Sequence, residues 1–129
     1  MTPARLLIID DHDAVREALE ARLSTAAGVE VVGCTGCWKT GLEAAEKLQP
    51  DVVLLETKRT DGQGLDALRS LTEQCPAANI LVLTSYPDAE EQTKALEVGA
   101  AGYILKDIGT PQLVREIESL TAPRPATPM

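Results

Sequence analysis

Five residues in this chain carry side chains suited to acting together on a metal ion or a phosphoryl group, and each follows a short apolar run. Asp10 and Asp11 follow Leu6-Leu7-Ile8-Ile9, Glu56 follows Val52-Val53-Leu54-Leu55, Thr84 follows Ile80-Leu81-Val82-Leu83, and Lys106 follows Tyr103-Ile104-Leu105. Three carboxylates converging on one point repel one another unless a cation sits among them, and an all-oxygen donor set favours Mg²⁺ over softer metals. Lys106 offers a fixed ammonium for the same purpose. A hydroxyl and an ammonium opposite a carboxylate are also what is needed to hold the oxygens of a phosphoryl group carried by that carboxylate. Single Asp, Thr or Lys residues after strands are ordinarily caps or solvated groups. Five of them behind four apolar runs is a much rarer coincidence.

A second constellation is Cys34-Thr35-Gly36-Cys37, whose C-x-x-C spacing serves redox centres and half-sites for zinc. A redox module using Cys34 and Cys37 is therefore one reading. Zinc would need two further ligands, which only Cys75 and the single histidine, His12, could supply. The plainer expectation is two small residues leaving a strand. An odd number of cysteines, three in all, fits a reducing compartment better than a disulfide framework.

The elements that must position these residues are legible as alternating patterns. The apolar runs at 6–9, 52–55 and 80–83 read as strands buried on both faces, with further strands at Val29, Val31 and Val32 ending at Gly33, and at Tyr103-Ile104-Leu105. Between them, apolar stripes at helical spacing predict five helices. The first runs from Asp13 through Val15, Ala18, Leu19 and Leu23 until Gly28. The next three carry Leu42, Ala45 and Leu48, then Leu65, Leu68 and Leu71, then the more polar stretch from Asp88 to Val98, which should pack less deeply. The last carries Leu113, Val114, Ile117 and Leu120. Residues 57–64 read as a loop, and 121–129, with three prolines, as a tail or linker beyond a single domain at 1–121. Strands alternating with helices predict an α/β fold with a five-stranded parallel sheet, doubly wound, whose ligands lie at the carboxyl ends of the strands.

Composition bounds the function. The chain has 129 residues, one Trp, two Tyr and no Phe, so Leu, Val, Ile and Ala must build the core. A net charge of −8 is the wrong sign for gripping a polyanion, so this segment is expected to bind no nucleic acid. Its longest apolar runs are too short for a bilayer and the N-terminus has no signal-peptide pattern, so a cytoplasmic protein without a membrane role is expected.

Taken in order, Leu7-Ile8-Ile9-Asp10-Asp11-His12, Pro50-Asp51-Val52-Val53-Leu54-Leu55, Asp61-Gly62-Gln63-Gly64-Leu65, Leu81-Val82-Leu83-Thr84 and Gly99-Ala100-Ala101-Gly102-Tyr103-Ile104-Leu105-Lys106 resemble the receiver domains of two-component response regulators. Within that family the similarity is to the NarL/LuxR type, and it covers residue 5 to about 120. The resemblance implies the flavodoxin-like (βα)5 fold. It also implies that Asp10 and Asp11 bind Mg²⁺ directly or through water, with the backbone carbonyl of Lys58 as a further ligand. By the same resemblance Thr84 is the switch hydroxyl, Tyr103 the switch aromatic, and Lys106 the lysine that pairs with a phosphoryl oxygen.

Glu56 stands where the family has its phosphoacceptor aspartate. One extra methylene moves the carboxylate toward the space a phosphoryl group would fill, disturbing both in-line attack and metal geometry. Thr60 replaces a common proline, and Lys58-Arg59 puts two cations beside the site, either of which could pair with Glu56 and weaken or abolish Mg²⁺ binding. Two outcomes stay open: Glu56 as a weak mimic of the phosphorylated state, or Glu56 locking one conformation with Lys106 as partner. The expected role is an atypical receiver, not an enzyme, acting as an interaction and dimerisation switch. It would control transcription through an output domain absent from this chain. A histidine kinase or another regulatory protein is the expected partner, and the face of the fourth helix, fifth strand and fifth helix, including Ala95, Tyr103 and Ile104, the expected homodimer surface. The alternative on the same fold is a metal-dependent phosphoester hydrolase or a ligand-binding module.

Overall fold

The computed structural model describes residues 2–59 and 62–121. Thr60 and the Pro-rich stretch 122–129 lie outside the described residues. Among the described residues ten elements alternate: β1 (Ala4–Ile9), α1 (Asp13–Ser24), β2 (Val29–Thr35), α2 (Trp38–Leu48), β3 (Val52–Leu55), α3 (Gly64–Gln74), β4 (Asn79–Thr84), α4 (Ala89–Val98), β5 (Gly102–Leu105) and α5 (Thr110–Thr121). The strands form one parallel sheet in the order β2-β1-β3-β4-β5, the doubly wound α/β arrangement of flavodoxin-like receivers that the sequence predicts.

The continuous apolar runs are explained by a sheet covered on both sides, where successive side chains serve opposite cores. Leu6, Ile8, Leu54, Leu81 and Leu83 pack with Leu19 and Leu23 of α1 and Leu113 and Ile117 of α5. Their neighbours Leu7, Ile9, Val53, Leu55 and Val82 pack with Ala45 of α2, Leu68 and Leu71 of α3 and Ala95 of α4. In α4 only Ala95 is buried, as its polar sequence implies.

Two boundaries differ from the sequence reading. Helix α1 ends at Ser24 rather than reaching Gly28, because the chain must turn back toward β2, and Gly28 supplies that turn with a φ of +89°. Strand β2 continues past Gly33 to Thr35, where it pairs with Ile9, so Cys34 lies inside the strand.

The winding places the site. The chain begins on an interior strand next to one edge, moves outward to β2 and then crosses to β3 on the other side of β1, leaving a switch point between β1 and β3 at the carboxyl rim. Backbone bonds carry the ladder one rung past the strand ends: Asp10 N–H donates to Thr35 O at 3.0 Å, Glu56 N–H to Ile9 O at 3.0 Å and Lys106 N–H to Thr84 O at 2.8 Å. The rim residues are thus held by the rigid sheet rather than by free loops.

The β3–α3 loop is closed by an approach that admits no side chain, since a Cβ on Gly64 would fall 1.8 Å from Thr57 O. Gly64→Ala should therefore destabilise the fold by about 1–3 kcal/mol, the range for forced overpacking, as read by urea unfolding. An unchanged midpoint would mean that the loop has room to move.

Candidate functional site

At the rim, β1, β3 and β5 bring Asp10, Glu56 and Lys106 into contact. Lys106 Nζ donates to Asp10 Oδ2 at 2.5 Å and lies 2.8 Å from Glu56 Oε2. The second contact is an ion pair whose angle falls short of a hydrogen bond. All three side chains are nearly dry, 8% exposed for Lys106 and 2% for each carboxylate. The ammonium therefore offsets two buried negative charges that would otherwise face each other across the switch point.

The remaining carboxylate oxygens are also engaged. Asp10 Oδ1 accepts from the backbone N–H of His12 at 2.9 Å and lies 3.1 Å from His12 Nδ1. Glu56 Oε1 accepts from the backbone N–H of Lys58 at 2.7 Å. Glutamate's extra methylene thus lets one carboxylate reach Lys106 with one oxygen while closing its own loop with the other. Arg16 braces the rim from α1, donating to Asp10 O at 2.8 Å.

Asp10, Asp11 and His12 place ligand atoms within 4.8 Å of one another. The hard oxygens of Asp10 and Asp11 fit a divalent ion such as Mg²⁺, which would share Asp10 with Lys106. A cavity of about 120 Å³ lies beside Glu56 and Lys106, bounded by His12, Val15, Ser85 and Tyr86. It suits a phosphoryl-sized group better than a drug-sized substrate, which takes about 300 Å³ or more.

The other expected site residues divide. Thr84 is buried on β4, its hydroxyl accepting from Tyr86 N–H at 3.2 Å. Tyr103 reaches the start of α4, donating its hydroxyl to Glu91 Oε1 at 3.2 Å and accepting from Asp88 N–H at 3.3 Å. Burial is the main reason its phenol is pushed up from the usual range. Lys58 does not pair with Glu56 through its side chain. Its ammonium lies 3.1 Å from Glu91 Oε2 and 3.4 Å from Asp88 Oδ2, because the loop aims it at the start of α4. The hydrogen bond to Glu91 raises the Lys58 ammonium, and the N–H groups of Glu91 and then Glu90 hold the Asp88 carboxyl low. Arg59 is buried and donates to Gly36 O at 2.6 Å.

Ala95 belongs to the core rather than to the expected dimer face, where Leu96 and Leu105 are the exposed apolar side chains. Sequence reasoning also missed Thr57, Asp88 and Glu91. One signal was available: Asp88-Ala89-Glu90-Glu91 has the spacing of a capping box.

Among the described residues the cysteines belong to no cluster that could hold a metal. Cys75 is buried at the end of α3, on the far side of the sheet from the rim that carries His12. Cys37 is the exposed N-cap of α2, and Cys34 is half-buried in β2. Burial, reinforced by Glu20, pushes the Cys34 thiol up to about 11, whereas hydrogen bonding from Thr40 lowers that of Cys37.

A flavodoxin-like sheet whose carboxyl rim sets a lysine against buried carboxylates at the β1/β3 switch point defines a class of α/β signalling domains. The response regulator receiver domain model matches residues 6–118, and the chain belongs to that family. It is 36% identical over 116 residues to the transcriptional regulatory protein MctR of Rhizobium johnstonii, covering 90% of this chain and 54% of that one. It is 32% identical to the DNA-binding transcriptional activator DevR/DosR of Mycobacterium tuberculosis, covering 93% and 55%. The chain thus spans about half the length of the curated relatives it matches. Among solved structures, a LuxR-family two-component response regulator from Aurantimonas sp. SI85-9A1 superposes with a TM-score of 0.84 at 29% identity, covering 93% of this chain and 86% of that one. A CheY-like receiver from Methanospirillum hungatei JF-1 superposes with a TM-score of 0.82 at 26% identity, covering 93% and 95%. Among the described residues, no helix is long and apolar enough to cross a membrane.

Two predictions follow from the geometry. Lys106→Met strands Asp10 and Glu56 together and should cost about 3 kcal/mol in urea unfolding, with part of the loss recovered by adding Glu56→Gln. No recovery would place the cost elsewhere than in carboxylate repulsion. Brief iodoacetamide treatment at about pH 8 should label Cys37 well before Cys34, because Cys37 is exposed with its thiol lowered, whereas Cys34 is half-buried with its thiol pushed up to about 11. Peptide mass mapping reads the order, and equal labelling would contradict it.

Proposed function

We propose that this chain is an atypical receiver, the input half of a transcriptional response regulator, in which Glu56 locks the site with Lys106 instead of accepting a phosphoryl group. The observation that carries this reading is the Lys106 ammonium seated between Asp10 and Glu56. In the phosphorylated receiver the lysine is needed by a phosphoryl oxygen; here both of its carboxylate contacts are already made. Glu56 carries one charge, against about −1.5 to −2 for a phosphorylated side chain, and it lacks the three phosphoryl oxygens. Thr84 bonded to Tyr86 N–H, and Tyr103 bonded to α4, favour the lock over mimicry of the phosphorylated state.

In this reading Asp10 and Asp11 hold Mg²⁺ weakly, with the Lys58 carbonyl as a further ligand, because the metal competes with Lys106 for Asp10. The chain acts in the cytoplasm by contact: with a histidine kinase or another regulatory protein, and with a second copy through the face of α4, β5 and α5. DNA is contacted by an output domain, as the names of the relatives suggest, and not by this acidic segment.

Incubation with a small phosphodonor and Mg²⁺, followed by intact mass, tests the lock. The parent chain should stay unmodified, and Glu56→Asp should gain a phosphoryl adduct. Stable phosphorylation of the parent at Glu56 would overturn the proposal.

A further inference from the structure

Glu91 occupies the N3 position of α4, three residues after the N-cap Asp88. In a capping box that glutamate would turn back to the N-cap backbone N–H. Here the Asp88 N–H is taken by the Tyr103 hydroxyl instead, at 3.3 Å, while the Asp88 carboxylate caps Glu90 N–H at 2.9 Å and Glu91 N–H at 3.3 Å. The Glu91 carboxylate is released from capping and used across elements. Its Oε1 accepts from Thr57 Oγ1 at 2.6 Å and from the Tyr103 hydroxyl at 3.2 Å, and its Oε2 pairs with Lys58 Nζ at 3.1 Å. Thr57 and Lys58 directly follow Glu56, and the Lys58 N–H holds Glu56 Oε1. The Glu91 side chain is only 13% exposed and Thr57 only 6%, so these contacts are largely shielded from water.

We infer that Glu91 is a latch: one carboxylate fastens the loop that carries Glu56 to the start of α4 and to Tyr103, so that the rim and the α4–β5 face change state together. The inference deepens the lock reading, because it supplies the path by which an occupied rim would fix the outer face. Three donors from two elements converge on a single residue of a third. Releasing that residue frees the β3–α3 loop, α4 and Tyr103 at once. Glu91 is a positioning residue, touching neither Glu56 nor Lys106.

The test is amide NMR of the full 129-residue chain. Glu91→Gln should shift signals of both 57–59 and 103–106, and should speed amide exchange at the start of α4 about tenfold, the loss of one charge-assisted hydrogen bond. Lys58→Ala, at a partly exposed side chain, keeps the fold should Glu91→Gln not, and should move the signals of Glu91 and Tyr103. Changes confined to the substituted residue's own element in either folded variant would overturn the latch. So would equal shifts from Glu90→Gln, whose carboxylate pairs only along the helix with Lys94 at 3.3 Å. The phosphodonor experiment reads the rim separately, so failure of the latch is distinguishable from failure of the lock.

Discussion

A single ammonium, that of Lys106, holds together two strand ends, those of β1 and β3, whose carboxylates would otherwise repel. Asp10 and Glu56 leave adjacent strands at the point where the winding reverses, and the sheet gives them no freedom to separate. Taking such charges out of water is costly, and the cost is offset only where partners are close and the remaining oxygens find donors. Both conditions are met, by Lys106 from β5 and by the backbone N–H groups of His12 and Lys58. The placement of Thr57 and Lys58 follows from this, because Glu56 reaches the Lys106 ammonium and the Lys58 N–H at the same time. That placement presents Thr57 and Lys58 to Glu91 at the start of α4.

Glutamate in place of aspartate changes what this constraint can do. An aspartate ends one methylene earlier, leaving room between carboxylate and lysine for an incoming group. Glu56 fills part of that room and satisfies the lysine directly. In the proposed lock, the response would come from what displaces Lys106 or what binds the outer face. Tyr86, Leu96 and Leu105 leave apolar surface exposed around that face.

The fold was legible because the sheet is buried on both sides. Each central strand is an unbroken apolar run, and each run ends abruptly on a polar residue that the winding rule sends to one rim. Asp10, Glu56 and Lys106 could therefore be brought together from chain order alone. Side-chain direction could not. Tyr103 and Lys58 sit at the expected positions yet point to α4, a choice made by Asp88 and Glu91, whose roles depend on how α4 packs. The extension of β2 through Cys34 was likewise set by pairing with β1, which no local pattern in Val29 to Thr35 announces. Ala95 illustrates the same limit: an apolar position on a polar helix reads equally as core or as contact face until the helix is docked, and here it is core.

The central claim is that Glu56 holds Lys106 at the expense of the metal, and Mg²⁺ affinity measures it most directly. Calorimetric titration of the parent chain and of Glu56→Asp should give weaker Mg²⁺ binding to the parent, since only there is the lysine pinned against Asp10 by a reaching glutamate. Equal or tighter binding by the parent would contradict the account.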